Sequence, residues 1–529
     1  MKIDIVRGEN RTSLAYDTPV LLSTVFADQG IPVEMPCGGR QRCLKCKVKA
    51  SGALSPMGER EKGLLTPEEK TAGIRFACMA MVTGDATVVL PAAAVTDRIV
   101  TAGEIPPFDL APWGKTYGAA ADIGTTTVAL YVYDLCRGTL LGSASERNPQ
   151  ALFGADVISR IERSMAGDGG ALASSIRECL SRMLTAVCEE HGVPMDEIDS
   201  VVLTGNTAML YLLCDENPAS IAAAPFEQDD YFGRFQAAQS LSLPLPERTR
   251  IYLPRCISAY VGADITTALM AAGFDRLAGV SGHAPELLVD IGTNGEMALA
   301  AGGRLLCCST AAGPAFEGAG IYQGMNAKEG AVSRVKLEKG EIRCAVIGGG
   351  EAKGICGSGI VDAVAVMVKT GILEESGLLN EEDHAFTAFM TEADGQAAFR
   401  LPGTGVVITQ KDIRAVQLAK SAICAGMTTL ISEAGLRPEE VRRLSIAGGF
   451  GAFIDVESAE TIGLIPRGFA AKAKAIGNAA GAGASMTLLS DELRRRAETV
   501  AAGAETVELS TSPRFMDAYV ENMLFTAED

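Results

Sequence analysis

The chain has 529 residues, 47% of them hydrophobic, and a formal net charge of −18, so it is long enough for several domains with separate cores. Residues 1–91 hold 12 Lys and Arg against 10 Asp and Glu, and the negative charge therefore belongs to the remainder. This balance argues against nucleic acid as a partner. The start lacks the apolar core of a signal peptide, and no uninterrupted apolar run reaches transmembrane length. We therefore expect a cytoplasmic protein with no membrane partner.

Four cysteines near the start have a spacing typical of an iron–sulfur centre. They form a C-x5-C-x2-C motif with a fourth cysteine after 31 further residues: Cys37, Cys43, Cys46 and Cys78. Thiolates suit soft iron, and the glycines of this loop let backbone amides turn toward the sulfurs. Zinc is the main rival, but structural zinc sites usually pair cysteines in two C-x2-C knuckles, and only one is present. The spacing predicts one [2Fe–2S] cluster in an electron-carrying first domain.

The elements around these cysteines follow a recognisable order. In chain order we predict a strand at Ile3–Val6, a helix near Val20–Ala27, the cysteine loop, and a last strand at Ala86–Leu90. This order, with Phe76-Ala77-Cys78 returning late, resembles the adrenodoxin-like branch of the β-grasp ferredoxins. Basic residues crowd the loop, either as local charge compensation or as a docking face for an acidic partner: Arg40, Arg42, Lys45, Lys47 and Lys49.

A phosphate-binding pattern occurs twice in the longer part of the chain. Ala121-Asp122-Ile123-Gly124-Thr125-Thr126-Thr127 and Val289-Asp290-Ile291-Gly292-Thr293-Asn294 share an apolar-Asp-Ile-Gly-Thr frame. Each copy reads as strand, tight turn and strand, in which turn amides and threonine hydroxyls bind phosphate oxygens. The aspartates, Asp122 and Asp290, would hold hydrated Mg2+ and take the catalytic roles. The recurrence predicts two related lobes.

Three further segments complete a nucleotide site when they are taken with these turns. They are Leu203-Thr204-Gly205-Asn206, Leu444-Ser445-Ile446-Ala447-Gly448-Gly449-Phe450 and Ile476-Gly477-Asn478. The set resembles the superfamily of acetate and sugar kinases, heat-shock chaperones and actin, which implies two ribonuclease-H-like lobes closing over ATP. The resemblance implies these ATP-binding residues: Gly124, Thr125, Thr126, Thr127, Gly205, Asn206, Gly292, Thr293, Asn294, Gly448, Gly449 and Phe450.

The predicted fold class is therefore a multidomain α+β and α/β protein, with a β-grasp [2Fe–2S] ferredoxin domain followed by a two-lobed ribonuclease-H-like (actin-like) ATPase domain. The predicted bounds are 1–91 for the ferredoxin-like domain, 92–116 for a linker rich in Ala and Pro, 117–282 for lobe I and 283–529 for lobe II. Whether the C-terminal segment packs back on lobe I is left open.

The pairing of an iron–sulfur domain with such an ATPase resembles the reductive activators of corrinoid proteins. Residues 310–321, 354–362 and 409–417 are similar to signature segments of that family. The resemblance implies ATP-dependent transfer of one electron from the [2Fe–2S] cluster to Co(II) of a partner corrinoid protein in a methyltransferase system, which regenerates Co(I). It also implies Mg2+ and an external low-potential reductant. The three histidines lie outside any cobalamin-binding pattern, which assigns the corrinoid to the partner.

Alternatives from other classes remain open at this stage. A small-molecule phosphotransferase would share the ATP site without needing the cluster, and a nucleotide-sensing electron carrier would bind ATP without turnover. Activators of 2-hydroxyacyl-CoA dehydratases use the same ATPase fold but share a [4Fe–4S] cluster across a dimer, and four cysteines within one chain argue against that. Family members can carry an extra domain where this chain has only the linker, so the oligomeric state is open, with a homodimer among the alternatives.

Overall fold

The computed structural model describes residues 1–7, 10–29, 46–90, 103–382, 385–449 and 453–525, together with residues 31, 33, 35, 39, 41 and 44 of the cysteine loop. The described residues form three six-stranded sheets and two three-stranded ones. None of the described cysteines takes part in a disulfide.

Residues 1–90 build the first sheet. Its elements are β1 (Lys2–Arg7), β2 (Asn10–Ala15), β3 (Val20–Leu21), α1 (Leu22–Asp28), β4 (Lys47–Leu54), α2 (Glu59–Leu64), α3 (Pro67–Thr71), β5 (Ile74–Phe76) and β6 (Met81–Leu90). The strand order is β2-β1-β6-β4-β5 with β3 beside β6, and β1 runs parallel to β6 while the other pairs are antiparallel. The predicted helix near Val20–Ala27 begins two residues later, because Val20 and Leu21 pair with β6.

A buried ion pair holds the segment that leads to Cys78. Arg75 donates from Nε and Nη2 to the two carboxylate oxygens of Glu61, each at 2.9 Å, and the Phe76 amide donates to Glu61 Oε1 at 3.0 Å. Both side chains are almost fully buried, with relative exposures of 5% for Arg75 and 2% for Glu61. Since Phe76 precedes Cys78 by two residues, this carboxylate positions the backbone that carries the cysteine.

Removing that carboxylate should loosen the first domain. In Glu61→Ala the Arg75 guanidinium stays buried without its partner, which should lower the free energy of unfolding by about 3–5 kcal/mol. We expect faster hydrogen–deuterium exchange at the amides of β5 in the full chain, measured by mass spectrometry. The matched control is Glu59→Ala, which removes an exposed carboxylate paired with Lys62 and should leave β5 unchanged. Equal exchange in the two variants would contradict the structural role of Glu61.

The second half of the predicted linker packs against the larger part of the chain. Residues 91–102 lie outside the described residues. Gly103 forms a bridge with Gly477, and the Glu104 amide donates to the Ile476 carbonyl at 3.1 Å. Trp113 Nε1 donates to the Thr487 carbonyl at 3.0 Å. Residues 103–116 are therefore a fixed strap and do not act as a free tether.

The second sheet and its helices, which we call lobe I, follow directly. The elements are β7 (Tyr117–Ile123), β8 (Thr127–Asp134), β9 (Thr139–Arg147), α4 (Val157–Arg163), α5 (Gly169–His191), β10 (Ile198–Gly205), α6 (Thr207–Cys214), α7 (Ala219–Ala222), β11 (Arg234–Ala237), β12 (Arg250–Leu253) and α8 (Ala263–Ala271). The strand order is β11-β12-β10-β7-β8-β9, in which β7, β8 and β9 form an antiparallel meander and β10 runs parallel to β7 and β12.

The remaining elements, which we call lobe II, surround the third sheet. They are β13 (Glu286–Ile291), β14 (Gly295–Ala301), β15 (Arg304–Thr310), β16 (Ala331–Glu338), β17 (Glu341–Val346), β18 (Gly354–Ile355), α9 (Gly357–Lys369), β19 (Met390–Ala393), β20 (Gln396–Arg400), β21 (Val407–Thr409), α10 (Gln410–Glu433), β22 (Arg443–Ala447), α11 (Val456–Thr461), β23 (Ala473–Gly477), α12 (Ala479–Leu489), α13 (Asp491–Gly503), β24 (Glu505–Thr506) and α14 (Pro513–Glu521). The strand order is β23-β22-β13-β14-β15-β24.

The two large sheets repeat one topology. In each, three consecutive antiparallel strands are followed by two strands that add in parallel on the side of the first: β7-β8-β9 with β10 and β12, and β13-β14-β15 with β22 and β23. The repeated Asp-Ile-Gly-Thr sequence falls at the same place in both, at the turn between the first two strands. Helix α12 packs against β7, β10 and α8, so part of the C-terminal region lies on lobe I.

Helix α10 is the one helix among the described residues with the length and composition to cross a membrane, although no such run was expected from the sequence. Of its most apolar 18-residue window, 78% is buried inside the protein. Thr409 and Asp412 form a capping box at its start. These features are those of a core helix.

Candidate functional site

A cleft between the lobes is lined by most of the predicted nucleotide residues. The members that line it are Asp122, Gly124, Thr125, Thr126, Thr127, Asn206, Asp290, Gly292, Thr293, Asn294, Gly448 and Gly449. Phe450 lies outside the described residues. Gly205 does not line the cleft; a Cβ atom there would stand 2.7 Å from the Ile123 carbonyl oxygen, so this glycine allows β10 to approach β7.

The first turn, residues 124–126, is fixed from behind by two side chains. Asn148 Nδ2 donates to the Gly124 carbonyl at 2.8 Å, and Arg160 Nη2 donates to the Thr125 carbonyl at 2.5 Å. Arg160 is fully buried, and its burial lowers the pKa of the guanidinium to about 9. The turn is therefore preorganised, and Gly124, Thr125 and Thr126 line the cleft.

The glycine-rich turn after β22 closes the cleft on the lobe II side. Gly448 has φ +97, and a Cβ atom there would lie 2.6 Å from the Ile291 carbonyl oxygen and 2.7 Å from Asp290 Oδ1. Only glycine satisfies both the backbone conformation and this close approach. The turn thus lies directly against the aspartate of the second phosphate turn.

Sequence analysis missed several polar residues that share the cleft. They are Asp264, Glu296 and Glu317, whereas Asn478 belongs to a segment that the sequence already assigns to the nucleotide site. Asp264 lies in the first turn of α8, and no motif marks it. Glu317 lies inside the segment 310–321 and Glu296 lies two residues after Asn294 of the second turn, but their side-chain directions depend on strand and turn geometry that the sequence leaves open. Asn478 caps α12 and donates from Nδ2 to Asp122 Oδ2 at 3.0 Å.

Carboxylates dominate the electrostatics of the cleft. Burial raises the pKa of Asp122 to about 6 and that of Asp290 to about 7, and for Asp290 the neighbouring Asp122 and Glu317 add to the rise. Burial, with Asp122 and Asp290 nearby, raises the pKa of Asp264 to about 8. Burial also raises the pKa of Glu296. Among the described residues no Lys or Arg lines the cleft, so a divalent cation is the charge that this set would accept with a polyphosphate.

These pKa values predict a pH-dependent stability. A carboxyl with a raised pKa in the folded state favours folding below its ordinary value of 3.8, and that contribution is lost as pH rises through about 6, 7 and 8. In EDTA we expect the unfolding temperature, measured by calorimetry, to fall between pH 6 and pH 8. Mg2+ should raise the unfolding temperature more at pH 8, where the carboxylates are ionised, than at pH 6. In Asp264→Asn the unfolding temperature should depend less on pH. A steeper profile in that variant would contradict this assignment.

Hydrogen bonds join the two lobes across the cleft. Asn206 Nδ2 of lobe I donates to Glu296 Oε1 of lobe II at 2.9 Å. Thr126 Oγ1 of lobe I donates to Glu317 Oε2 of lobe II at 2.6 Å. The contacts lie among the residues predicted to bind phosphate, so a molecule bound there would touch both lobes at once.

A separate site in the first domain brings two of the predicted cluster cysteines together. Cys46 Sγ and Cys78 Sγ are 3.3 Å apart, both buried, and the Ala77 amide donates to the Cys46 carbonyl at 2.9 Å. Two sulfurs bound to one tetrahedral metal at ~2.3 Å lie ~3.8 Å apart, so a small widening would let this pair share one iron. Cys37 and Cys43 lie outside the described residues. The pair that is described fits the donor chemistry of an iron–sulfur centre.

Comparison with known proteins identifies the family. A model described as the RACo middle region matches residues 117–277, and one described as the C-terminal domain of RACo, the ASKHA domain, matches residues 284–529. A protein of Eubacterium limosum named corrinoid activation enzyme RamQ is 37% identical over 431 residues, covering 77% of this chain and 70% of that protein. The chain belongs to the RACo family.

A second similar protein and a solved structure agree with this family assignment. A Methanosarcina barkeri protein named [Co(II) methylated amine-specific corrinoid protein] reductase is 28% identical over 396 residues, covering 68% of each chain. The solved structure of a reductive activator for a corrinoid, iron–sulfur protein superposes with a TM-score of 0.72 at 26% identity, over 100% of this chain and 99% of that one. The actin-like ATPase fold of residues 284–529 therefore follows from RACo-family membership.

Proposed function

We propose that this chain is an ATP-dependent reductive activator, which passes one electron from a [2Fe–2S] cluster to Co(II) of a partner corrinoid protein in a methyltransferase system and regenerates Co(I). The observation that carries the proposal is the presence, in one RACo-family chain, of a paired-thiol site and of a cleft built from two Asp-Ile-Gly-Thr turns. The relatives named for corrinoid activation support the choice of partner.

The first domain would hold the cluster through Cys37, Cys43, Cys46 and Cys78. When bound, such a cluster supplies single electrons at low potential, typically about −400 mV for plant-type ferredoxins. The sheet order, with β1 parallel to β6 and a helix between the early strands, supports a β-grasp ferredoxin domain. The buried Glu61 and Arg75 pair would keep Cys78 in place beside Cys46.

The cleft would bind ATP with Mg2+. The amides and hydroxyls of the two turns would bind phosphate oxygens, and Asp122 and Asp290 would hold Mg2+ and orient the attacking water. Asn478 holds the Asp122 carboxylate from the α12 side. The glycine-rich turn at Gly448 and Gly449 would lie beside the nucleotide. In this arrangement hydrolysis depends on positioning and on charge stabilisation.

The strap offers a physical connection between the two activities. It joins the first domain to the bridge at Gly103 and Gly477, and the next residue, Asn478, contacts Asp122 in the cleft. ATP would favour a conformation of the complex in which cobalt is easier to reduce. Moving an equilibrium from 1:99 to 99:1 takes about 5.5 kcal/mol, which corresponds to about 240 mV for one electron. That is the scale needed for the uphill transfer of one electron from the cluster to Co(II).

The partner would carry the corrinoid, and an external low-potential reductant would reload the cluster. We propose that the protein acts in the cytoplasm, which suits a chain whose described cysteines form no disulfide. The proposal excludes nucleic acid and membrane as partners, and it leaves a homodimer to be tested by size measurement in solution.

The test is an anaerobic mixture of the reconstituted protein, a strong reductant, MgATP and the Co(II) corrinoid protein encoded beside it, followed by visible absorbance. We expect conversion to Co(I). A phosphorylated small molecule formed without reductant would favour a phosphotransferase instead. Binding of ATP without hydrolysis, with Co(I) formed equally in its absence, would favour a nucleotide-sensing electron carrier.

A further inference from the structure

One carboxylate lies between the two phosphate turns and occupies both of their threonines. Glu317 Oε2 accepts hydrogen bonds from Thr126 Oγ1 at 2.6 Å and from Thr293 Oγ1 at 2.9 Å. The two hydroxyl oxygens are 3.4 Å apart. Thr126 belongs to the first turn and Thr293 to the second, so a single oxygen atom joins the lobes at the point where their repeated motifs meet.

The position of Glu317 is set by the backbone that carries it. Residues 315–317 form a short 3-10 turn, in which the Glu317 amide donates to the Pro314 carbonyl at 3.0 Å. The Gly313 amide donates to the Thr293 carbonyl at 2.9 Å, which ties this segment to the second turn. Phe316 beside it is only 2% exposed and anchors the turn in the lobe II core. The carboxylate therefore reaches the threonines from a fixed base.

The two threonines cannot serve Glu317 and a phosphate at the same time. Each hydroxyl has one hydrogen and donates to one acceptor at a time. A phosphate group held between the turns needs those same hydrogens for its oxygens. The Glu317 carboxylate is a planar anion with two acceptor oxygens, and here it takes the hydrogen bonds that a phosphate would take.

We propose that Glu317 competes with the outer phosphates of ATP for the Thr126 and Thr293 hydroxyls and so lowers the affinity of the cleft for nucleotides with a polyphosphate tail. The proposal rests on the assignment of the cleft as an ATP site. It makes Glu317 a specificity-determining residue for the number of phosphates, because a nucleotide that lacks the outer phosphates has nothing to gain from displacing it.

The negative charge of the cleft further lowers its affinity for a polyphosphate. Asp290 and Glu317 are close enough for Glu317 to contribute to the raised pKa of Asp290. Arg160, a fully buried cation behind the first turn, donates to the Thr125 carbonyl and is close enough to Glu317 for the two charges to interact. Among the described residues no Lys or Arg lines the cleft itself, so a polyphosphate would meet the negative charge of Glu317, and its entry would exchange a carboxylate bridge between the lobes for a phosphate bridge.

Titration calorimetry with the full chain can test this proposal. The variant Glu317→Gln keeps an acceptor oxygen and the side-chain length but removes the charge. With MgATP we expect its Kd to be lower than that of the unmodified protein by about tenfold or more, from the usual strength of a hydrogen bond to a charged group. With AMP the two Kd values should agree. Glu329→Gln, an exposed position outside the cleft, is the matched control and should match the unmodified protein for both nucleotides.

A second variant keeps the test independent of how well the first one folds. Glu317→Asp retains the charge but withdraws the carboxylate by one methylene, and its ATP affinity should lie between the other two. Equal ATP affinities in the unmodified protein and both Glu317 variants would overturn the proposal while leaving the ATP site intact. Weaker MgATP binding in Glu317→Gln, with loss of the dependence on Mg2+, would overturn it by making Glu317 a metal ligand. Absence of ATP binding in every protein would contradict the proposed function and this inference together.

Discussion

Replacing Asp290 by asparagine should abolish ATP hydrolysis while leaving the iron–sulfur centre intact. Asp290 lies one residue before the end of β13, next to the second turn, where burial and the nearby Asp122 and Glu317 raise its pKa to about 7. Asparagine keeps the shape of the side chain but cannot ionise, so it loses both the attraction for Mg2+ and the ability to orient or accept a proton from water. We expect hydrolysis stimulated by the corrinoid partner to fall about 10²–10⁴-fold.

Phosphate release measured with and without the corrinoid partner checks this expectation, and the visible spectrum of the cluster monitors the first domain. Asp196→Asn changes an exposed aspartate of lobe I that does not line the cleft and serves as the control. Unchanged turnover in Asp290→Asn would remove Asp290 from the catalytic site.

Replacing Cys78 by alanine should abolish the cluster and leave nucleotide binding unchanged. Cys78 Sγ lies 3.3 Å from Cys46 Sγ in a buried site, and alanine has no atom that can bind iron. The unmodified protein should hold about two irons and two sulfides per chain after anaerobic reconstitution, and the variant close to none. Co(I) formation should be lost with the cluster.

The exposed Cys136, in the turn after β8, offers a matched control, since Cys136→Ala removes a thiol that is far from the cluster cysteines in sequence and donates to the Lys115 carbonyl. Iron and sulfide analysis with electron paramagnetic resonance after reduction makes the comparison. About four irons per unmodified chain, or a full cluster in Cys78→Ala, would contradict the [2Fe–2S] assignment.

The sequence predicts the parts of this protein that depend on local chemistry. A repeated Asp-Ile-Gly-Thr frame specifies a strand, a tight turn and a second strand in each copy, and both copies fold that way at Asp122 and Asp290. Local residues also set the start of α10, which Thr409 and Asp412 cap, and the end of α5, where Gly192 takes the left-handed conformation after His191. In each case the residues that decide the structure are neighbours in the chain.

The parts that the sequence leaves undetermined depend on distant contacts. Asp264 lines the cleft because α8 packs beside β10 and α12, and no neighbouring residue in the sequence predicts that position. Glu61 looks like one more exposed carboxylate of a polar helix, yet it is buried against Arg75 on a strand that comes after it. The Ala- and Pro-rich composition of residues 92–116 predicts a linker, whereas pairing of Gly103 with Gly477 fixes its second half. Tertiary packing decides all three.

If ATP hydrolysis and electron transfer are coupled in one chain, the yield of Co(I) should depend on hydrolysable ATP. The reconstituted protein, a low-potential reductant and the Co(II) corrinoid partner are mixed anaerobically with MgATP, with a non-hydrolysable ATP analogue, or with no nucleotide, and the absorbance of Co(I) is followed. We expect extensive Co(I) formation with MgATP only, and loss of that formation in both Asp290→Asn and Cys78→Ala. Equal Co(I) formation in all three mixtures would contradict the coupling.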